Sequence, residues 1–114
     1  MKPGELILVR FPEVSLAPGK LRPALVVAIA PGRHPDILLA LVTSRGHQEV
    51  LDFDEVIAAS DPDFTATRLK TTSVVRLARL VTVEAEIIEA RLGTISSDRL
   101  QRIRRRLIEW LRRE

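Results

Sequence analysis

The chain has 114 residues, of which 46% are hydrophobic and 29% charged, with a formal net charge of +3 and no cysteine. This length suits one domain around one core, and we assign residues 1–114 to a single domain. The lack of cysteine excludes disulfides and thiolate metal sites. No apolar run approaches the ~20 residues of a membrane-spanning helix, so we expect a cytoplasmic location without membrane contact.

Short apolar runs between turn-forming residues predict a strand-rich chain. The predicted strands cover residues 5–11, 21–30, 37–43, a short 49–52 and 71–77. Prolines and a glycine make residues 12–19 a loop between the first two strands. The close spacing of the first three strands favours a small barrel or a strongly bent sheet.

The segments between and after these strands carry weaker signals. Residues 55–59 suit a helical turn and residues 60–63 a loop, whereas 80–83 and 87–92 suit either strand or short helix. Gly93 is expected to end this region before the last element.

The last element is predicted to be an amphipathic helix. Leu100, Ile103, Leu107 and Leu111 recur in steps of three and four, which places them on one face that packs against the sheet. Ser96 or Ser97 caps its start. The predicted fold class is therefore mainly β with a C-terminal α-helix.

The excess positive charge lies in this helix. Residues 98–114 hold seven arginines against three acidic residues, a net +4, whereas residues 1–97 carry a net −1. Such a basic segment suits a polyanion or an acidic protein partner, and equally an ordinary solvated helix face.

Several familiar enzyme motifs are absent from the sequence. The two histidines form no pair with metal-ligand spacing, so no metal site is expected. We expect no other cofactor either. There is no Gly-x-Ser-x-Gly elbow and no Gly-x-x-x-x-Gly-Lys phosphate loop. What remains is a set of cations and hydroxyls at strand ends: Arg22, Thr43, Ser44, Ser73 and Arg76. If those ends converge, they form a cationic site that binds phosphate, although polar residues at strand ends are also common without any function.

The ordered motifs of the chain resemble those of the PemK/MazF toxins of type II toxin–antitoxin modules. The matching segments are GELILV at 4–9, GKLRPALVV at 19–27, ALVTS at 40–44, TTSVVR at 71–76, VTVE at 81–84 and LGTIS at 92–96. The resemblance implies an SH3-like small β-barrel, a homodimer, and a metal-independent endoribonuclease that cuts single-stranded RNA at short sequences. Cleavage of this kind uses the 2′-hydroxyl of the RNA and leaves a 2′,3′-cyclic phosphate. A cognate antitoxin would neutralise the toxin, and DNA would be bound only through the antitoxin complex.

Carried over by position, the resemblance implies catalytic roles for Arg22, Thr43 and Arg76. Arg22 precedes a proline, Thr43 ends the third strand, and Arg76 follows a Val-Val pair. We expect Arg22 to stabilise charge rather than transfer a proton, because a guanidinium stays protonated in proteins. Thr43 would hydrogen-bond the scissile phosphate.

The candidate RNA-binding residues are Lys20, Ser44 and Ser73. Two departures from the family pattern leave the general base open: Ala78 stands where some members have an acid, and residues 12–19 lack the Glu-Gln and His of several members, offering only Glu13 and Ser15. The alternatives are a catalytically inactive binding module on the same barrel and a gyrase-poisoning toxin.

Overall fold

A computed structural model describes residues 1–10 and 20–113. The predicted loop 12–19, with Glu13 and Ser15, lies outside the described residues. The strands are β1 (Glu5–Arg10), β2 (Leu21–Ile29), β3 (Asp36–Thr43), β4 (Glu55–Ile57), β5 (Ser73–Glu84) and β6 (Ile88–Thr94), and the helices are α1 (Phe64–Thr67) and α2 (Ser97–Arg112). The mainly β class with a C-terminal helix is confirmed. Within the described ranges, no helix is both long and apolar enough to cross a membrane.

The six strands form one antiparallel sheet in the order β4-β5-β3-β2-β1-β6. Among the described residues β4 and β6 lie at its two ends, so the sheet is not closed. This arrangement is compatible with a barrel-like fold. Register shifts in three of the five strand pairs bend the sheet.

Apolar side chains are buried on both faces of the sheet. One cluster of apolar side chains packs between the sheet and α2, and it includes Leu6, Leu25, Leu77 and Ile103. A second cluster covers the opposite face: Ile7, Val9, Ala24, Val26, Ile37, Leu39 and Val83. Strands buried on both faces read as continuous apolar runs, which is why the sequence shows β2 so clearly.

The predicted strand at residues 49–52 is wrong, and so is the predicted helical turn at 55–59. The Asp54 carboxylate accepts a hydrogen bond from the Val50 amide at 2.9 Å, which holds the preceding residues in a turn. The strand β4 follows that turn and pairs with β5. Local apolar patterns predict neither the hydrogen bond of Asp54 nor the pairing of β4 with β5, and these two interactions decide the conformation of both segments.

The apolar runs at 80–83 and 87–92 are both in strands, β5 and β6. Gly93 does not end this region but lies inside β6. A Cβ at Gly93 would come within 2.5 Å of the carbonyl group of Thr67, so glycine is required by the close approach of α1.

The predicted helix is confirmed as α2. The Ser96 hydroxyl oxygen accepts a hydrogen bond from the Arg99 amide at 3.2 Å, which makes Ser96 the N-cap. Ile103 and Leu107 are buried, but Leu111 is 75% exposed and does not belong to the packed face. The last turn of α2 therefore lies outside the core.

One arginine of α2 is buried among carboxylates. Arg99 is 5% exposed; its Nη1 lies 2.7 Å from Glu55 Oε2, and its Nη2 lies 2.8 Å from Asp61 Oδ2 and from Asp63 Oδ1. Its Nη1 also donates to the Val56 carbonyl at 2.8 Å. These bonds join α2 to β4 and to the loop before α1.

Three more arginines of α2 contact residues of the strands β2 and β4. Arg102 and Arg106 contact the Glu55 carboxylate at 2.6 and 2.8 Å, and Arg104 donates to the Val27 carbonyl at 2.8 Å. Four of the seven arginines of residues 98–114 thus contact residues outside α2. The basic segment is neither a free polyanion-binding tail nor a wholly solvated face, because much of its charge neutralises buried carboxylates.

We expect Arg99→Met to lower the free energy of unfolding by about 1–3 kcal/mol, since Asp61 and Asp63 lose their guanidinium partner and Glu55 loses one of its three. The hydrogen bond from Arg99 lowers the pKa of Asp63 from 3.8 to about 2 and also lowers the pKa of Asp61. A lowered pKa stabilises the fold above the unfolded value, and that contribution is lost as the pH falls towards 2. The difference between wild type and variant should therefore shrink between pH 4 and pH 2.

Urea denaturation across this pH range measures the effect. The control is Arg105→Met, an exposed arginine of the same helix, for which a change within about 0.5 kcal/mol is expected. If the difference in the free energy of unfolding between wild type and Arg99→Met stayed constant from neutral pH to pH 2, that result would contradict the role assigned to the carboxylates.

A second expectation concerns Gly93. Gly93→Ala should destabilise the fold by about 1–3 kcal/mol or more, because the new methyl group overlaps the backbone of α1. Gly46→Ala is the matched control, since a Cβ there meets no atom within 4 Å. Thermal melting of the two variants checks this, and equal melting temperatures would contradict the close packing of β6 on α1.

Candidate active site

A cleft of about 680 Å³ opens over the neighbouring strands β2, β3 and β5. Its lining is rich in arginine, and among the described lining residues there is neither a carboxylate nor a histidine. The lining residues are Arg22, Leu41, Val42, Thr43, Arg45, Gln48, Arg76 and Arg79. Four guanidinium groups in one cleft form a site for an anion with several oxygen atoms, such as a phosphate.

Strand register brings the three predicted catalytic residues together. Leu41 of β3 pairs with Ala24 of β2 on one side and with Arg76 of β5 on the other. Continuing the β2–β3 register by two residues places Arg22 beside Thr43. Arg22, Thr43 and Arg76 therefore line the same cleft although they are far apart in the sequence.

A large bulge in β5 shapes the wall of the cleft. Ala40 pairs with Leu80 whereas Leu41 pairs with Arg76, so residues 77–79 have no counterpart on β3. Bulges bend a strand and redirect its side chains, and they are frequent near active sites. Arg76 and Arg79 flank this bulge, and both line the cleft.

The guanidinium of Arg76 is held from the protein side. Its Nε lies 3.0 Å from Asp54 Oδ2, and its Nη1 donates to Gln48 Oε1 at 3.4 Å. Nε is fully buried, and its N–H is not aligned as a hydrogen bond, so the contact with Asp54 is an ion pair. Gln48 belongs to a 3₁₀ turn, Gly46–Gln48, that follows β3.

Thr43 begins the turn after β3. Its hydroxyl oxygen accepts a hydrogen bond from the Arg45 amide at 3.1 Å, a side-chain-to-backbone turn. Accepting that bond does not use the hydroxyl hydrogen, which can still be donated to a ligand oxygen. The same turn places Arg45 in the cleft lining.

None of the three predicted RNA-binding residues is among the residues that line this cleft. Lys20 and Ser44 are exposed next to Leu21 and Thr43, but neither is a lining residue. Ser73 is only 5% exposed, and its hydroxyl donates to the Thr71 carbonyl at 2.9 Å. The position of Ser73 therefore does not support a direct contact with RNA.

Four residues around the cleft were not among the predicted site residues: Arg45, Gln48, Asp54 and Arg79. Arg45 lies two residues after Thr43, and this proximity was the one feature of the sequence that could have indicated any of these four residues. The other three depend on the 3₁₀ turn and on the bulge, which no local pattern reveals. Ala78, where some family members have an acid, lies in the bulge and is exposed. The acid that contacts Arg76 in this chain is Asp54, 22 residues before Arg76.

A protein-family model described as the PemK-like, MazF-like toxin of type II toxin–antitoxin systems matches residues 2–111. The chain belongs to this family. The resemblance read from the sequence motifs is thereby confirmed, and membership implies an antitoxin partner. A comparison with curated proteins gave no match. Among the described residues of this toxin-family chain, no group of three His, Asp or Glu side chains could hold a metal ion.

Proposed function

We propose that the protein is a metal-independent endoribonuclease that cuts single-stranded RNA and acts as the toxin of a toxin–antitoxin module. The observation that carries this proposal is the convergence of four arginines and Thr43 in one cleft. Family membership supports it, since the resemblance implies this reaction.

The reaction suits a cleft of this composition. The 2′-oxygen attacks the adjacent phosphorus and loses its proton, the bond to the 5′-oxygen breaks, and the 5′-oxygen gains a proton. The products are a 2′,3′-cyclic phosphate and a 5′-hydroxyl. Negative charge grows on the phosphoryl oxygens in the transition state, and fixed guanidinium groups stabilise that charge.

We assign charge stabilisation to Arg22 and Arg76 and a hydrogen bond to a phosphate oxygen to Thr43. Arg22 is half-buried at the start of β2, and Arg76 is held by Asp54. Guanidinium groups remain protonated in proteins, so both residues bind the phosphate rather than move its protons. Arg45 and Arg79 are exposed cleft residues, and they suit the phosphates on either side of the scissile one.

The partners follow from the same charge pattern. An acidic segment of an antitoxin would compete with RNA for the cleft arginines and would neutralise the toxin without a separate inhibitory site. We further propose a homodimer in the cytoplasm that contacts DNA only through the antitoxin complex. Lys20 and Ser44 are exposed beside the cleft strands and are retained as RNA contacts.

A second candidate function is a binding module that holds RNA or a protein partner without cleaving it. The observation that favours it is the described cleft lining, which contains neither a carboxylate nor a histidine to act as a general base. Ala78, exposed in the bulge, removes an acid that some family members carry at this position.

Purified protein should cleave mixed-sequence RNA in the presence of EDTA and leave 2′,3′-cyclic phosphate ends. Arg22→Ala and Thr43→Ala should each lower the cleavage rate by about 100-fold or more, because each removes a donor to the phosphoryl oxygens. Arg105→Ala, on the exposed face of α2, is the control and should cleave as wild type does. Intact RNA at high wild-type concentration would overturn the nuclease and leave the binding module.

Binding should show the electrostatic contribution of the cleft. With uncleavable 2′-O-methyl RNA, Arg45→Ala should reduce the slope of log Kd against log salt concentration by about 0.7, the loss of one phosphate contact on a single strand. Arg112→Ala, exposed at the end of α2, should leave the slope unchanged. Equal slopes for the Arg45 variant and wild type would place RNA elsewhere on the surface.

A further inference from the structure

We propose that Asp54 is the positioning residue of the cleft: its carboxylate sets the orientation of Arg76 and thereby the rate of phosphoryl transfer. This inference rests on the proposed nuclease function. Asp54 lies behind the cleft and is not a lining residue, so it acts through Arg76 and not on RNA.

The Asp54 side chain is completely buried and receives three groups. Oδ1 accepts a hydrogen bond from the Leu77 amide at 2.8 Å, and Oδ2 accepts one from the Val50 amide at 2.9 Å. Oδ2 also lies 3.0 Å from Arg76 Nε. One carboxylate thus holds the bulge of β5, the turn before β4 and the guanidinium of the cleft.

The chemistry of these contacts requires a carboxylate. Two partners are backbone amides that donate to different oxygens of the side chain, and the third is a cation, so an ionised aspartate supplies both acceptors and the opposite charge. An asparagine has one acceptor oxygen, so its NH₂ group would face either the Val50 amide and Arg76 or the Leu77 amide. A buried charge is retained only where it is paired, and Arg76 supplies the opposite charge.

The bulge and the carboxylate depend on each other. Leu77 is the first residue of β5 without a counterpart on β3, and its amide is satisfied by Asp54 instead. The neighbouring Arg76 is therefore fixed at its backbone by the bulge and at its Nε by the same side chain. Gln48 accepts a hydrogen bond from Nη1, so two nitrogen atoms of the guanidinium, Nε and Nη1, are held in place before RNA binds.

Asp54 is itself held by α2. Arg106 Nη1 donates to the Asp54 carbonyl at 2.8 Å and to Glu55 Oε1 at 2.8 Å. The backbone at Asp54 is thereby tied to a rigid helix, and its side chain has little freedom to follow Arg76. A buried, immobile carboxylate of this kind preorganises the cation that it contacts.

The test is a double-mutant cycle on single-turnover RNA cleavage with Asp54→Asn and Arg76→Ala. If Asp54 acts through Arg76, Asp54→Asn should slow cleavage by about tenfold or more in the wild-type background, but by no more than about twofold when Arg76 is already alanine. Asp52→Asn is the matched control, with the same chemical change two residues away at an exposed position, and should cleave as wild type does. An equal loss from Asp54→Asn in both backgrounds would show a structural role only and overturn the proposal.

A second measurement uses the wild-type protein and needs neither activity nor a folded Asp54 variant. Proton exchange of the arginine Nε–H groups is followed by NMR, with the Arg76 signal assigned by its loss in Arg76→Lys. The buried, ion-paired Nε–H of Arg76 should exchange at least about tenfold more slowly than that of Arg45, an exposed residue of the same cleft. Equal exchange rates would overturn the proposal, whereas slow exchange in a protein that leaves RNA intact would overturn the nuclease function and keep the positioning contact.

Discussion

The pairing of Glu55 with the arginines of α2 is the constraint on which the rest of the structure depends. Its carboxylate is buried and is bound by Arg99, Arg102 and Arg106 at 2.6 to 2.8 Å. A buried charge without such partners would cost several kcal/mol, so α2 and the short edge strand β4 must dock together. The docked helix then covers one face of the sheet and fixes the residues just before β4.

This docking reaches the cleft through one neighbouring residue. Asp54 precedes Glu55, and its side chain binds the bulge of β5 and the guanidinium of Arg76. A helix on one face of the sheet and a cleft over its central strands are therefore connected by two consecutive acidic residues. The site is built on rigid strands, which is what a cleft needs in order to hold a phosphate in one orientation.

The positive charge of the cleft is local. Residues 1–97 carry a net −1, and much of the +4 of residues 98–114 is paired with buried carboxylates. Attraction of a polyanion to the cleft then depends on the four lining arginines and not on a general basic field. The phosphate chemistry proposed for this toxin family member is consistent with such a local site.

The sequence by itself determined the main strands, the C-terminal helix and the family, because these depend on local apolar patterns and on ordered motifs. It also predicted Arg22, Thr43 and Arg76 as a site, and these three residues line one cleft. It predicted β4 wrongly, since that strand is decided by pairing with β5 and by the hydrogen bond of Asp54 to the turn before it. Only the tertiary structure decided which charges are buried. Arg99 and Arg105 look alike in the sequence, yet one is enclosed by carboxylates more than 35 residues away and the other is exposed. Ion pairs between such distant residues, like the bulge that directs Arg76, depend on how the strands and the helix pack, and no local pattern records that packing.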